Sequence, residues 1–132
     1  MHEMSLVGDV VEVVERYAAA ERASRVVSVS LCIGEMRDVV DRLLESCFAY
    51  LTRGTIAEGA ELKVKKIPLK ARCGECNTVF RVRLDPRKVP ACPDCASRNL
   101  SIFTGGEFLI ENIEIVDDSG HPVRDGNERQ EA

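Results

Sequence analysis

Cys73-Gly-Glu-Cys76 and Cys92-Pro-Asp-Cys95, separated by fifteen residues, decide how the middle of this chain must fold. Two Cys-x-x-Cys knuckles facing each other across a hairpin-length loop can place four thiolates around one zinc ion, with no position left for water. Such a closed site holds a fold together and performs no reaction, which makes Cys73, Cys76, Cys92 and Cys95 candidate structural zinc ligands. Gly74 suits the tight turn inside the first knuckle, since it tolerates backbone angles that a side chain forbids. Two disulfides are the alternative use of the same residues. An acidic chain with no visible secretory signal is expected in reducing cytosol, which disfavours them. A thioredoxin-like redox motif needs one such pair beside a βαβ unit rather than two facing knuckles.

The charge around the knuckles differs from that of the whole. The chain of 132 residues has a net charge of −4, yet Lys63 to Arg98 holds ten Lys/Arg against three Asp/Glu. The remainder holds eight basic and nineteen acidic residues. Four thiolates and one zinc ion carry about −2, so a mildly basic knob sits within an acidic body. Arg81, Arg83, Arg87 and Lys88 crowd that knob, which supports one alternative function: a zinc-ribbon binding module contacting nucleic acid or an acidic protein partner. Phe80 and Phe103 are the only aromatic residues there, a thin platform for stacking bases. The acidic net charge also argues against a general nucleic-acid binder. No apolar run approaches membrane-spanning length, and Glu3 and Asp9 interrupt any leader, so no membrane role and a cytoplasmic location are expected.

Hydrophobic periodicity organises the rest. Leu6, Val7, Val10, Val11, Val14, Tyr17 and Ala18 recur at helical spacing within residues 5–22. Residues 26–33 alternate as a strand. Val39, Val40, Leu43, Leu44, Cys47, Phe48 and Leu51 predict one apolar face of a second helix over 38–53, with Asp38 as its N-cap and Gly54 as its stop. Residues 61–69 and 107–116 predict two more strands. The inward set of the last shifts phase near Glu111-Asn112, the signature of a bulge. The expected class is α+β: two helices on a three-stranded mixed sheet with an inserted four-cysteine zinc-ribbon domain. Residues 1–69 and 102–116 form the body, 70–101 the zinc domain, and 117–132 a disordered tail. Two chain crossings near Leu69 and Ser101 join knob to body, which leaves a homodimer by domain exchange open.

Chemistry must lie outside a closed zinc site, and the chain has only two histidines. His121 falls in the tail and reads as solvated. His2 follows Met1, and an unblocked Met1-His2 is a chelate by geometry. The terminal amine, the His2 amide nitrogen and His2 Nδ1 close a five- and a six-membered ring around one ion, and the Glu3 amide nitrogen adds a fourth donor. Deprotonated amides bind ions with a strong square-planar preference, meaning Ni(II) or Cu(II) rather than zinc. Met1, His2 and Glu3 are therefore a candidate site for either of these two ions. Cys47 reads as a core residue, and Cys32 lacks a nearby histidine to activate it. No phosphate loop, Ser/His/Asp set or dinucleotide fingerprint is present, so an enzyme is not expected.

Met1-His2-Glu3-Met4-Ser5-Leu6, Ile33-Gly34-Glu35 before a helix, the run from Gly54 through Glu58-Gly59-Ala60 to Leu62, and the four-cysteine knob together resemble the HypA/HybF family. The resemblance implies a non-enzymatic nickel metallochaperone for nickel–iron hydrogenase, with an α/β nickel domain and a separate zinc domain. Nickel carries over onto His2 with Met1 and the Glu3 backbone beside it, and zinc onto Cys73, Cys76, Cys92 and Cys95. Implied partners are a HypB-type GTPase, the hydrogenase large subunit and, for some members, urease maturation factors. Certain members complete the nickel site with a histidine in the zinc domain, and residues 70–105 here contain none.

Overall fold

The computed structural model describes residues 3–123 and the strand pairing of 130–131. In chain order these form α1 (Glu3–Ala20), β1 (Arg25–Gly34), a single 3-10 turn (Glu35–Arg37), α2 (Asp41–Leu51), β2 (Glu61–Ile67), β3 (Lys70–Cys73), β4 (Val79–Arg81), β5 (Leu100–Thr104), β6 (Phe108–Val116) and β7 (Gln130–Glu131). They separate into two compact units. One takes the described residues of Met1–Cys32, Asp38–Lys65 and Phe108–Ala132; the other takes Ile33–Arg37 and Lys66–Glu107.

The first unit is built on a sheet of strand order β2-β1-β6-β7. Val7, Val10, Val14 and Ala18 give α1 one fully buried stripe, and α1 packs against α2 and β6. β1 is flanked by a strand on each side, and residues on both of its faces are buried, Ser28 among them. On β6, Phe108, Ile110, Ile113 and Ile115 are all buried, and the alternation breaks at Glu111-Asn112 where the phase shift predicts it. Gly54 takes a left-handed φ of 76°, in keeping with its place just beyond α2.

Three expectations for this unit are corrected. Asp38 does not cap α2: its φ is 50°, and the helix begins at Asp41 with Val40 in extended geometry at the N-cap and no side-chain cap. The 3-10 turn that follows β1 uses up residues that periodicity assigned to the approach to the helix. Val40 and Leu43 therefore stand 49% and 45% exposed instead of joining the apolar face. The sheet has a fourth strand, because β7 pairs antiparallel with β6, Leu109 opposite Glu131. Nor is the segment after Val116 featureless. Asp117 and Gly120 close a turn, the Val123 amide donates to the Ile115 carbonyl at 3.0 Å, and Pro122 bridges Val116.

The second unit is an antiparallel sheet of order β4-β3-β5, with Lys70 opposite Arg81 and Arg72 opposite Ser101. Its small core is Leu69, Ala71 and Val82, with Phe80 and Leu100 against it. Segment 33–37 belongs here by its bonds. The Gly34 amide donates to the Glu107 carbonyl at 2.7 Å and the Met36 amide to Gly105 at 2.9 Å. Gly34 has to lack a side chain, since a Cβ would lie 1.9 Å from the Gly105 carbonyl oxygen. Such a unit buries too little apolar surface to hold itself together without further help.

Candidate metal centre

The two knuckles are built on one plan. In each, the first cysteine's amide donates to the carbonyl five residues on (Cys73 to Thr78, Cys92 to Ser97, both 2.9 Å). In each, the residue four positions on returns its amide to the first cysteine's carbonyl, Asn77 to Cys73 at 3.0 Å and Ala96 to Cys92 at 2.8 Å. That closure demands a left-handed backbone, and Asn77 and Ala96 both have φ of 62°. Gly74 is absent from the positive-φ positions, which corrects its expected role. Its missing Cβ makes room for Asn99, whose side-chain nitrogen lies 2.6 Å from where that carbon would be.

This repeat brings the four sulfurs together, all within 4.8 Å of one another. Cys73 and Cys95 Sγ are 3.5 Å apart, and Cys76 and Cys92 Sγ 3.6 Å. A tetrahedron of metal–sulfur bonds near 2.3 Å has sulfurs roughly 3.8 Å apart, so the cage has the size of one tetrahedral ion. Backbone amides point into it, Glu75 donating to Cys73 Sγ at 3.3 Å and Asp94 to Cys92 Sγ at 3.4 Å. The Thr78 hydroxyl lies 3.2 Å from Cys76 Sγ and 2.8 Å from the Asp94 carboxylate.

Electrostatics make the same point. The Thr78 hydroxyl and amide bring the Cys76 thiol down to about 6. The Cys73 thiol is also lowered, first by the Cys76 amide. The Ser97 amide favours a Cys95 thiolate, yet the neighbouring sulfurs, Cys73 foremost, outweigh it and push Cys95 up to about 12. Four thiolates this close repel one another, and a divalent cation at their centre removes the conflict. The donor set therefore fits a soft-tolerant tetrahedral cation.

Of the candidate nickel residues, Met1 and His2 lie outside the described residues, and Glu3 is the first residue of α1. Glu3 Oε2 accepts the amide of Val40, the N-cap residue of α2, at 3.1 Å, the bond that the glutamate of a capping box makes. His121 is exposed in the turn after β6, its amide donating to Asp117. Cys47 is half-buried, and Cys32 is buried against the Glu111 carboxylate. Sequence reasoning missed Glu35. Its carboxylate accepts the Leu69 amide at 3.3 Å and pairs with Arg81 at 2.9 Å, tying the 3-10 turn to the entry of β3 and to β4. Only the three-dimensional path reveals that role, because its partners lie 34 and 46 residues away.

The α+β body and the sulfur cage define a small protein with a four-cysteine site of a size that could hold one metal ion. Residues 1–115 match the family model described as "Hydrogenase/urease nickel incorporation, metallochaperone, hypA". The chain belongs to this HypA family of hydrogenase maturation metallochaperones, which are not enzymes. It is 39% identical over 117 residues to hydrogenase maturation factor HypA of Geobacter sulfurreducens, spanning 87% of this chain and 99% of that one. The corresponding figure for HypA of Desulfitobacterium hafniense is 38% over 115 residues, 87% of this chain and 98% of the relative. The solution structure of the Ni metallochaperone HypA from Helicobacter pylori matches with a TM-score of 0.63 at 24% identity, over 89% of this chain and 100% of the other. Another, titled "Solution structure of HypA protein", gives 0.68 at 24% identity, over 89% and 98%. These two likenesses establish the shared fold.

Proposed function

We propose that this chain binds Ni(II) through Met1, His2 and the Glu3 backbone and delivers it to the large subunit of a nickel–iron hydrogenase during maturation. Membership of the nickel-incorporation family over residues 1–115, a span that includes Met1-His2-Glu3, is the observation that carries this reading. The chemistry is ligand exchange. An amine–amide–imidazole set holds a planar d⁸ ion with few bonds to break, which suits transfer better than storage. Glu3 Oε2 accepts the Val40 amide, and the donor assigned to Glu3 in this reading is its backbone nitrogen.

Cys73, Cys76, Cys92 and Cys95 hold a structural ion in this account, and zinc is the ion that the tetrahedral four-sulfur set favours. Zinc there supplies the cross-link that the small β4-β3-β5 unit lacks, a contribution on the order of 10 kcal/mol. A HypB-type GTPase and, by the urease half of the family description, urease maturation factors are the proposed co-workers, in the cytoplasm. No described helix is long and apolar enough to cross a membrane.

Calorimetric nickel titration of the zinc-loaded chain tests this reading in three forms: unblocked, N-acetylated and His2→Ala. One nickel per chain is expected for the first, a loss of at least about tenfold in affinity for the other two, and unchanged zinc in all. Equal isotherms for the unblocked and acetylated chains would remove the amine from the site.

A further inference from the structure

The unit of Ile33–Arg37 and Lys66–Glu107 holds nine Lys/Arg against five Asp/Glu, whereas the rest of the chain holds nine against seventeen. Its basic excess is concentrated at one place. A cleft of about 400 Å³ runs between β4 and the loop that returns to the second knuckle. Phe80, Val82, Val89 and Pro90 line its floor, and Arg81, Arg83 and Lys88 stand among its walls. Among the described residues lining it Asp85 is the single acid, and it is engaged, accepting the Arg87 amide at 2.9 Å and Arg87 Nε at 3.4 Å. Arg81 has Glu35 as its partner, but the exposed side chains of Arg83 and Lys88 have no ion pair among the described residues.

Apolar surface lies beside these cations. Leu84 and Val89 are 68% and 64% exposed, the two most exposed large apolar side chains among the described residues. Patches that combine apolar floor with basic rim are uncommon on a surface that contacts only water. β4 is also an edge strand, since the order β4-β3-β5 gives it one neighbour. An extended chain laid along it finds main-chain hydrogen-bonding groups as well as side-chain pockets.

We infer that this cleft is a docking site for an extended, acidic segment of a partner protein that carries an aliphatic anchor. The anchor fills the space over Phe80 and Val82, and flanking carboxylates pair with Arg83 and Lys88. A protein segment fits better than nucleic acid because Phe80 is the only aromatic among the described residues that line the cleft and is itself partly buried, which leaves little to stack a base on. The inference stands apart from whatever metal the amino terminus holds.

The test uses the full zinc-loaded chain and fluorescence anisotropy with labelled short peptides. One probe interleaves Asp/Glu with Leu; a second replaces the leucines by Gly; a third replaces the acids by Gln; an oligothymidylate is the fourth. The interleaved peptide is expected to bind at least about tenfold more tightly than the other three, with affinity falling as salt rises. Arg83→Glu with Lys88→Glu should weaken it by about another tenfold, leaving zinc content and circular dichroism unchanged because neither side chain is ion-paired among the described residues. Val89→Gln tests the floor independently and should weaken the interleaved and Gln-substituted peptides alike. Equal binding of all peptides, indifference to the double charge reversal, or tighter binding of oligothymidylate each overturns the inference. So does sedimentation showing that a second copy of the chain occupies this face.

Discussion

Gly34→Ala removes nothing and adds one methyl group, yet it should be among the most damaging small substitutions in the chain. The new Cβ would sit 1.9 Å from the Gly105 oxygen, 2.1 Å from its carbonyl carbon and 2.6 Å from the Gly106 nitrogen, all backbone atoms. Neither segment can accommodate this by a rotamer change, so the two must part by roughly 1 Å. That opens the hydrogen bonds from Gly34 to Glu107 (2.7 Å) and from Met36 to Gly105 (2.9 Å). Two bonds at about 1 kcal/mol each, plus about 1–3 kcal/mol for overpacking, give a loss of about 3–5 kcal/mol. The stiffer unfolded chain returns about 0.5–1 kcal/mol, for a net loss near 3 kcal/mol. Gly8→Ala is the control: it lies within α1 with nothing within 4 Å of the added carbon, and should stabilise by about 0.5–1 kcal/mol. Urea unfolding at fixed, saturating zinc measures both, with hydrogen exchange at the Met36 amide as the local readout. If Gly34→Ala matches the control within about 1 kcal/mol, the close crossing of the 33–37 and 105–107 segments is wrong.

Ala96 holds a left-handed backbone with a side chain that disfavours it, so Ala96→Gly should stabilise the second knuckle by about 1 kcal/mol and slow zinc loss to a chelator, whereas Asn77→Gly should gain less. Val40→Ser gives α2 the side-chain cap it lacks and should raise the urea midpoint by an amount equivalent to about 1 kcal/mol, with the Glu3 contact retained. Glu114 titrates below the usual carboxylate range because the Ser28 hydroxyl, and then Lys63, stabilise its charged form. A lowered folded-state value favours the folded state above the unfolded pKa, and this is lost as pH falls through the folded value. Ser28→Ala should therefore move the Glu114 carbon-detected NMR titration upward and flatten the acid limb of stability, with the loss greatest at neutral pH, where Glu114 is charged, and vanishing at low pH, where it is protonated in both states.

The most legible features were those whose signal is local. Four cysteines at fixed spacing announced the sulfur cage, because knuckle geometry depends on few residues beyond the pairs. Helical period placed α1 to within a turn, and the phase shift on β6 appeared in the alternation before it appeared in the burial. Features set by distant partners were not legible. Gly34 looks like any strand-ending glycine until Gly105 is found against it. Glu35 reads as a turn residue until its bonds to Leu69 and Arg81 are seen. β5 escaped because Ser101, Ile102 and Phe103 are all exposed, so no alternation betrays a strand on a sheet this small. Asp38 was misread for the opposite reason: its type and place suit a cap, but the 3-10 turn after β1 displaces the helix start to Asp41. After Val116 the described residues through Val123 pair with β6 by backbone bonds, a feature that composition does not show.

X-ray absorption at the nickel edge, on the chain carrying one zinc and one nickel, examines both metal assignments together. The account predicts a four-coordinate planar nickel surrounded by nitrogen and oxygen alone, with zinc still bound to four sulfurs. Sulfur in the first shell of nickel, accompanied by loss of zinc–sulfur scattering, would show cargo entering the cysteine cage and would contradict a separate site at the amino terminus.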